Sequence, residues 1–244
     1  MFLANYSGHG VRVAIIDSGA HAAHPHVNGI EQGTAIRTDG SLDHDFADRL
    51  GHGTAVAAAI REKAPDALLV AIKVFWETLA TDVASLVSGI DEACRRDARI
   101  INLSLGTSNP AHRPLLEAAA DRARRHGVFI VAAGEDSGTR WLPGTIPGVV
   151  AVQLDWEIPR DEYRVLNINE HPIVAASGYP RDIPGVPRDR NLKGLSFAVA
   201  NATGFVARAL QAMPGATPTQ LFELLGQEAR PGNSSSWSTV VVTQ

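Results

Sequence analysis

The chain has 244 residues, of which 45% are hydrophobic and 20% charged, enough apolar content for one sizeable α/β domain and unlike a disordered segment. A net charge of −4 offers no basic surface to nucleic acid or to an anionic membrane, and no apolar run approaches the ~18 residues of a membrane span. The single cysteine, Cys94, excludes an internal disulfide, and the first six residues lack the basic charge and apolar length of a secretory signal, so a cytoplasmic setting is expected.

Val11-Arg12-Val13-Ala14-Ile15-Ile16 is a nearly unbroken apolar run, as in a strand buried on both faces of a parallel sheet. It ends at Asp17-Ser18-Gly19. A carboxylate at the carboxyl end of such a strand stands where α/β folds build their sites, although an Asx turn or helix cap uses the same residue type. His21, His24 and His26, followed by Asp43, His44, Asp45 and Asp48, raise the question of a metal. Their spacing matches no standard ligand pattern, so solvated loops and no metal are expected. Gly51-His52-Gly53-Thr54 opens an alanine-rich stretch ending at Ile60. Small residues let such a helix press against a sheet and the glycines leave the imidazole approachable; a capping histidine in a tight turn is the plainer reading.

Further strands are predicted over residues 67–74, 99–106, 127–134 and 149–152, and helices over 81–96 and 114–126. This alternation, without repeats or low-complexity linkers, predicts a single α/β domain over residues 1–244. Its fold is three-layered, a mostly parallel central sheet with helices on both faces. Residues 154–193, rich in Pro, Gly and Arg, yield only a short strand at 173–176. Gly194-Leu195-Ser196 then opens a small-residue helix reaching about Leu210. A sharp turn at the glycine would bring the Ser196 hydroxyl beside the first helical amides and the positive end of the helix, where a developing negative charge is favoured. A serine there is also a common N-cap. A helix over 218–229 and a β-prone tail at 239–243 complete the chain.

Three of these stretches together, Val13-Ala14-Ile15-Ile16-Asp17-Ser18-Gly19, Gly51-His52-Gly53-Thr54 and Gly194-Leu195-Ser196-Phe197-Ala198, resemble the Asp, His and Ser motifs of the subtilisin-like serine peptidases, in the same chain order. Ile101-Asn102-Leu103-Ser104-Leu105-Gly106 resembles the family's substrate-binding strand. Val131-Ala132-Ala133-Gly134 resembles the strand leading to its oxyanion residue, and residues 143–152 the proline-bearing loop and strand after it. The resemblance implies that Ser196 is the nucleophile, that His52 is the general base that later protonates the leaving amine, and that Asp17 orients His52 and stabilises its cation. It further implies that Ser104, Leu105 and Gly106, with Ala132, Ala133 and Gly134, flank an extended peptide or protein substrate and wall its S1 pocket. No cofactor, nucleic acid or membrane partner is implied, while a partner domain or subunit stays open.

Two positions depart from the family's pattern. Where the family places an asparagine that donates to the oxyanion, this chain has Glu135, and an ionised carboxylate has no proton to donate and repels the charge that must form. Leu195 stands in place of the usual threonine, and Val199-Ala200-Asn201 in place of Ser-Pro-His. Three outcomes fit: a protonated Glu135 that donates, a Glu135 turned away that leaves the Ser196 amide as main donor, or lost hydrolysis with a retained peptide groove. The expectation is a slow or substrate-restricted endopeptidase, with precursor maturation, including acyl transfer to an amine, as a narrower option and a silent peptide-binding scaffold as the alternative. Residues 61–67 are too few for the calcium loop that many secreted relatives insert there, so no calcium is expected. The resemblance is to a minimal intracellular member without a propeptide, matured without cleavage or cut from a larger polypeptide.

Overall fold

A computed structural model describes residues 2–168 and 171–228. In chain order the elements are β1 (Arg12–Asp17), β2 (Gln32–Ile36), β3 (Leu42–Asp43), α1 (His52–Lys63), β4 (Leu68–Lys73), α2 (Val83–Arg95), β5 (Ile100–Leu103), α3 (Arg113–Arg125) and β6 (Phe129–Ala133). They continue with β7 (Glu135–Asp136), β8 (Thr139–Arg140), β9 (Val150–Leu154), β10 (Tyr163–Ile168), β11 (His171–Ala176), α4 (Leu195–Ala212) and α5 (Pro218–Glu228).

Nine strands form one sheet in the order β10-β11-β9-β6-β5-β1-β4-β2-β3. Every pairing from β11 through to β2 is parallel, and only the outermost pairs, β10 with β11 and β2 with β3, are antiparallel. The apolar runs read from the sequence are central strands because both of their faces are covered. In β1, Val13 and Ile15 enter a core shared with α1, α4 and α5, while Ala14 and Ile16 enter the opposite core under α2 and α3. The expected three-layer α/β fold is thus observed.

Helix α4 runs through the first core and is buried on nearly all sides. Its small residues permit this. A β-carbon on Gly204 would collide with the Lys63 side chain, so the glycine sets the close crossing of α4 over α1. Asp82 starts α2 by accepting from the Ser85 amide at 2.7 Å, an N-cap that places the helix start two residues inside the predicted span.

Strands β2, β3 and β10 and the β7–β8 hairpin are absent from the sequence-based expectation. They lie at or next to the sheet edges or outside the sheet, where polar residues such as Gln32, Arg164 and Asn167 are tolerated and no long apolar run forms. The predicted strand at 239–243 falls outside the described residues. Strands β5 and β6 also stop short of their predicted ends. Their ladder ends at Leu103 opposite Ala132, and the chain beyond it in β5, Ser104-Leu105-Gly106, is freed for the site below.

Candidate active site

Asp17 is the last residue of β1, fully buried between β4 and β5. Its carboxylate oxygens lie 2.8 and 3.0 Å from His52 Nδ1, and Oδ1 also accepts from the Ser18 amide at 2.7 Å. A carboxylate can only accept, so the proton sits on Nδ1 and the lone pair on Nε2. His52 opens α1 and is held this close because the helix start lies directly on the turn after β1: a β-carbon on Gly53 would strike the carbonyl oxygen of Gly19. Burial works against the imidazolium, but the hydrogen bond and charge of Asp17, aided by Asp48, prevail and raise the His52 pKa above its ordinary value.

The sign of that shift gives a first prediction. Protonated His52 adds stability that is fully present below the unfolded pKa of about 6.5 and lost as pH rises through the higher folded value. A base needs the neutral form, so any hydrolysis dependent on His52 should rise with pH across an acid limb whose midpoint lies above ~6.5. A kcat/KM profile with its midpoint below that value would contradict the shift.

Asp48, expected in a solvated loop, is instead the hub that joins the two motifs. Its Oδ1 accepts from Ser18 Oγ, the Leu50 amide and the Gly51 amide at 2.9, 2.9 and 2.8 Å, and its Oδ2 accepts from the Thr54 amide and hydroxyl at 2.8 and 2.6 Å. Ser18 Oγ in turn accepts from the Gly53 amide at 2.9 Å, so one carboxylate fixes the turn after Asp17 to the first turn of α1. Burial pushes the Asp48 pKa up, but the Thr54, Leu50 and Gly51 hydrogen bonds outweigh it and the net shift is downward. Its stabilisation is therefore present above the ordinary carboxylate pKa of about 3.9 and lost as pH falls through the folded value. Asp48→Asn should cost about 1–3 kcal/mol at neutral pH, by turning an amide N–H₂ toward donors, and should flatten the acid end of a melting-temperature profile. An unchanged profile would remove Asp48 from this role. A sequence signal existed in an Asp four residues ahead of a histidine that starts a helix, but its partners are scattered from Ser18 to Thr54.

Ser196 is the second residue of α4, two residues after Gly194, whose φ of 140° lies in the region that favours glycine. Gly194, not Ser196, is the N-cap, and no side chain caps this helix. The Ser196 hydroxyl donates to the Ser104 carbonyl at 3.1 Å, and Ser104 Oγ donates back to the Ser196 carbonyl at 2.9 Å. Asn102 Nδ2 donates to Ser104 Oγ and Thr203 Oγ1 to Asn102 Oδ1, at 3.0 and 2.9 Å, so the end of β5 and the start of α4 form one polar clamp inside the fold. The His52 ring packs against Phe197 with centroids 5.7 Å apart, which brings the imidazole to the same helix start. Among the described residues, Ser196 Oγ makes no hydrogen bond to His52, and the Ser196 amide makes none at all.

Beside this clamp, Leu105 and Gly106 make no backbone hydrogen bond among the described residues, leaving donors and acceptors for an extended ligand. Ala132 and Ala133 end β6. The Gly134 amide donates to the Val152 carbonyl at 2.9 Å. Glu135 follows in a small hairpin, opposite Arg140, where its side chain is solvent-exposed and without hydrogen bond or ion pair among the described residues. Asn201, in the stretch that departs from the family pattern, is buried and donates to the Ser177 and Tyr179 carbonyls at 2.9 and 3.0 Å. A cavity of about 1140 Å³ lies between the β7–β8 hairpin, β9 to β11 and α5, and its walls include none of Asp17, His52 and Ser196. The converging hydrogen-bonding groups, and not this cavity, mark the place where chemistry can occur. No group of three or more metal-ligating side chains occurs among the described residues, and no helix among them is long and apolar enough to cross a membrane.

A family model described as the subtilase family matches residues 8–161, a span ending before Ser196. The thermostable alkaline protease of Halalkalibacterium halodurans is 29% identical over 238 residues, covering 91% of this chain and 63% of the relative. Subtilisin E of Bacillus subtilis is 28% identical over 215 residues, covering 81% of this chain and 52% of the relative. The chain thus spans between about half and two thirds of the length of these relatives. Among solved structures, a cold adapted subtilisin-like serine proteinase superposes with a TM-score of 0.71 over 91% of this chain and 83% of that chain at 24% identity, a likeness of fold.

Proposed function

Because the chain belongs to the subtilase family, we propose that it is a serine peptidase in which Ser196, His52 and Asp17 act together on an extended peptide. The observation that carries this reading is the buried Asp17–His52 pair, 2.8 Å apart at the carboxyl ends of parallel strands, with the start of α4 packed against the imidazole. Ser196 exchanges its hydrogen bond from the Ser104 carbonyl to His52 Nε2 by rotating about its Cα–Cβ bond, a change that substrate binding can drive because hydrogen bonds of empty sites often tighten only in the complex. Ser196 Oγ then attacks the scissile carbonyl carbon while its proton passes to Nε2. The resulting imidazolium is stabilised by Asp17 and returns the proton to the leaving amine as the C–N bond breaks. Water, deprotonated by the same Nε2, releases the acyl group and restores Ser196.

The unpaired Ser196 amide, in the first turn of α4, is the donor best placed for the tetrahedral oxyanion. Glu135 is the weak element. Its exposure is at odds with the dry pocket a protonated donor would need, so the reading is a Glu135 that withholds a donor and leaves turnover slow. Such an enzyme suits a dedicated substrate, including a precursor whose acyl group passes to an amine, better than general digestion. The reducing setting inferred from the lone Cys94 and the single-domain organisation belong to the same reading.

Extended fluorogenic peptides test it: wild type should release the fluorophore with turnover, and Ser196→Ala should release none above buffer. A second reading, a peptide-binding domain without hydrolysis, is favoured by the Ser196–Ser104 bond and by Glu135; it predicts peptide binding without turnover and equal behaviour of wild type and Ser196→Ala.

A further inference from the structure

The segment after the β7–β8 hairpin bridges the ends of β5 and β6. The Trp141 amide donates to the Gly134 carbonyl at 2.9 Å, and Leu142 pairs with Thr107 in both directions at 2.9 and 3.0 Å. The stem of Trp141 therefore lies between the Gly134 wall and the Gly106 wall; a β-carbon built on Gly106 would be 3.6 Å from Trp141 Cβ and 2.7 Å from the Leu142 carbonyl oxygen. The carbonyl of Trp141 is itself fixed, accepting from both the amide and the hydroxyl of Thr145 at 3.0 Å. The indole packs, partly buried, against the core that contains Phe197, the neighbour of Ser196. Its Nε1–H is buried with no hydrogen-bond partner among the described residues, and a buried donor without an acceptor calls for an explanation.

Resting on the peptidase reading above, we propose that Trp141 is the specificity-determining floor of the slot between Ser104–Gly106 and Ala132–Gly134. In this role it restricts the residue on the acyl side of the scissile bond to a small one, glycine, alanine or serine. The physical reason is volume. Two extended backbones make parallel walls, and the side chain of a bound peptide must enter between them. A large indole rooted in that space leaves no room for an aromatic or long aliphatic group, since forcing one in would displace close-packed atoms. Selection by exclusion of bulk is sharper than selection by an added methylene, which discriminates only about 10- to 200-fold.

The test uses peptides identical except for alanine or phenylalanine at that position, offered as fluorogenic substrates and as product peptides ending in the same residue. For wild type, kcat/KM should favour alanine by about 100-fold or more, and calorimetry should show tighter binding of the alanine-ended product. Trp141→Gly should bring phenylalanine to parity or preference. Trp141→Leu, which retains apolar packing against the core, should shift the ratio part of the way and guards against a glycine variant that fails to fold. Equal use of both peptides by wild type, or a ratio unmoved in the folded variants, would overturn the assignment. A fluorophosphonate, carrying no peptide side chain, reads Ser196 reactivity separately. If it fails to label, the peptidase reading falls, and the product-binding ratio and its response to Trp141 substitution still decide the role of the indole.

Discussion

Glu135→Asn should raise kcat on a good peptide substrate by about a hundredfold or more, equivalent to roughly 2.7–4 kcal/mol of transition-state stabilisation, the amount that one oxyanion donor supplies in an enzyme of this class. The gain has two parts. The ladder of β5 and β6 ends at Leu103 and Ala132, so Glu135, three residues past Ala132, leaves the sheet at the same end as Ser104, whose carbonyl holds the Ser196 hydroxyl. A carboxylate there accepts hydrogen bonds and repels an oxyanion; the shorter, neutral asparagine amide donates to it. Because Glu135 is exposed, the repulsive part should shrink with ionic strength, and wild-type activity should climb modestly between low and high salt while that of Glu135→Asn should not. Glu135→Gln, one methylene longer, should recover less than Asn. A fall in kcat for Glu135→Asn would mean that the carboxylate has a purpose of its own.

Asp17→Asn should lower kcat by about 10⁴-fold with little change in fold. An asparagine amide can donate to His52 Nδ1, which moves the imidazole proton to Nε2 and leaves the nitrogen that must receive the Ser196 proton already occupied. The substitution also removes the hydrogen bond and the charge of Asp17 that raise the His52 pKa, leaving burial, the largest influence and a lowering one, opposed only by the charge of Asp48. The residual activity should therefore show an acid limb displaced to lower pH than in wild type. A loss smaller than tenfold would separate His52 from Asp17 functionally, whatever their 2.8 Å contact.

What could be read from the sequence follows from how local its cause is. Strands β1, β4, β5 and β6 are buried on both faces and so carry apolar runs that need no context; β9 is buried on its Val150 and Val152 face. Helix α2 was legible through its apolar stripe, with Leu86 and Ile90 on one face, but its capping Asp82 was not. Strand β10 has neighbours on one side only, and its Tyr-Arg-Val-Leu-Asn-Ile run gives no clean period. Asp17 and His52 were legible because their glycine-flanked motifs are local. The Ser104–Ser196 clamp, the reach of Asp48 from Ser18 to Thr54, and the wedging of Trp141 between Gly106 and Gly134 join residues distant in sequence, and the polar residues involved look like ordinary loop residues until the fold brings them together. Glu135 shows the converse: its position was visible from the motif around it, but its exposure in a hairpin opposite Arg140 was not.

The central claim is that Ser196 is activated by His52 and Asp17. The most direct measurement is covalent labelling by a fluorophosphonate, with the adduct mapped to a residue by mass spectrometry across a pH series. The account predicts a single adduct on Ser196, formed at a rate that climbs with pH through the His52 titration above ~6.5 and reduced by orders of magnitude in Asp17→Asn. No adduct at any pH at which the protein is folded, or an adduct on Ser196 formed equally fast in Asp17→Asn, would contradict it.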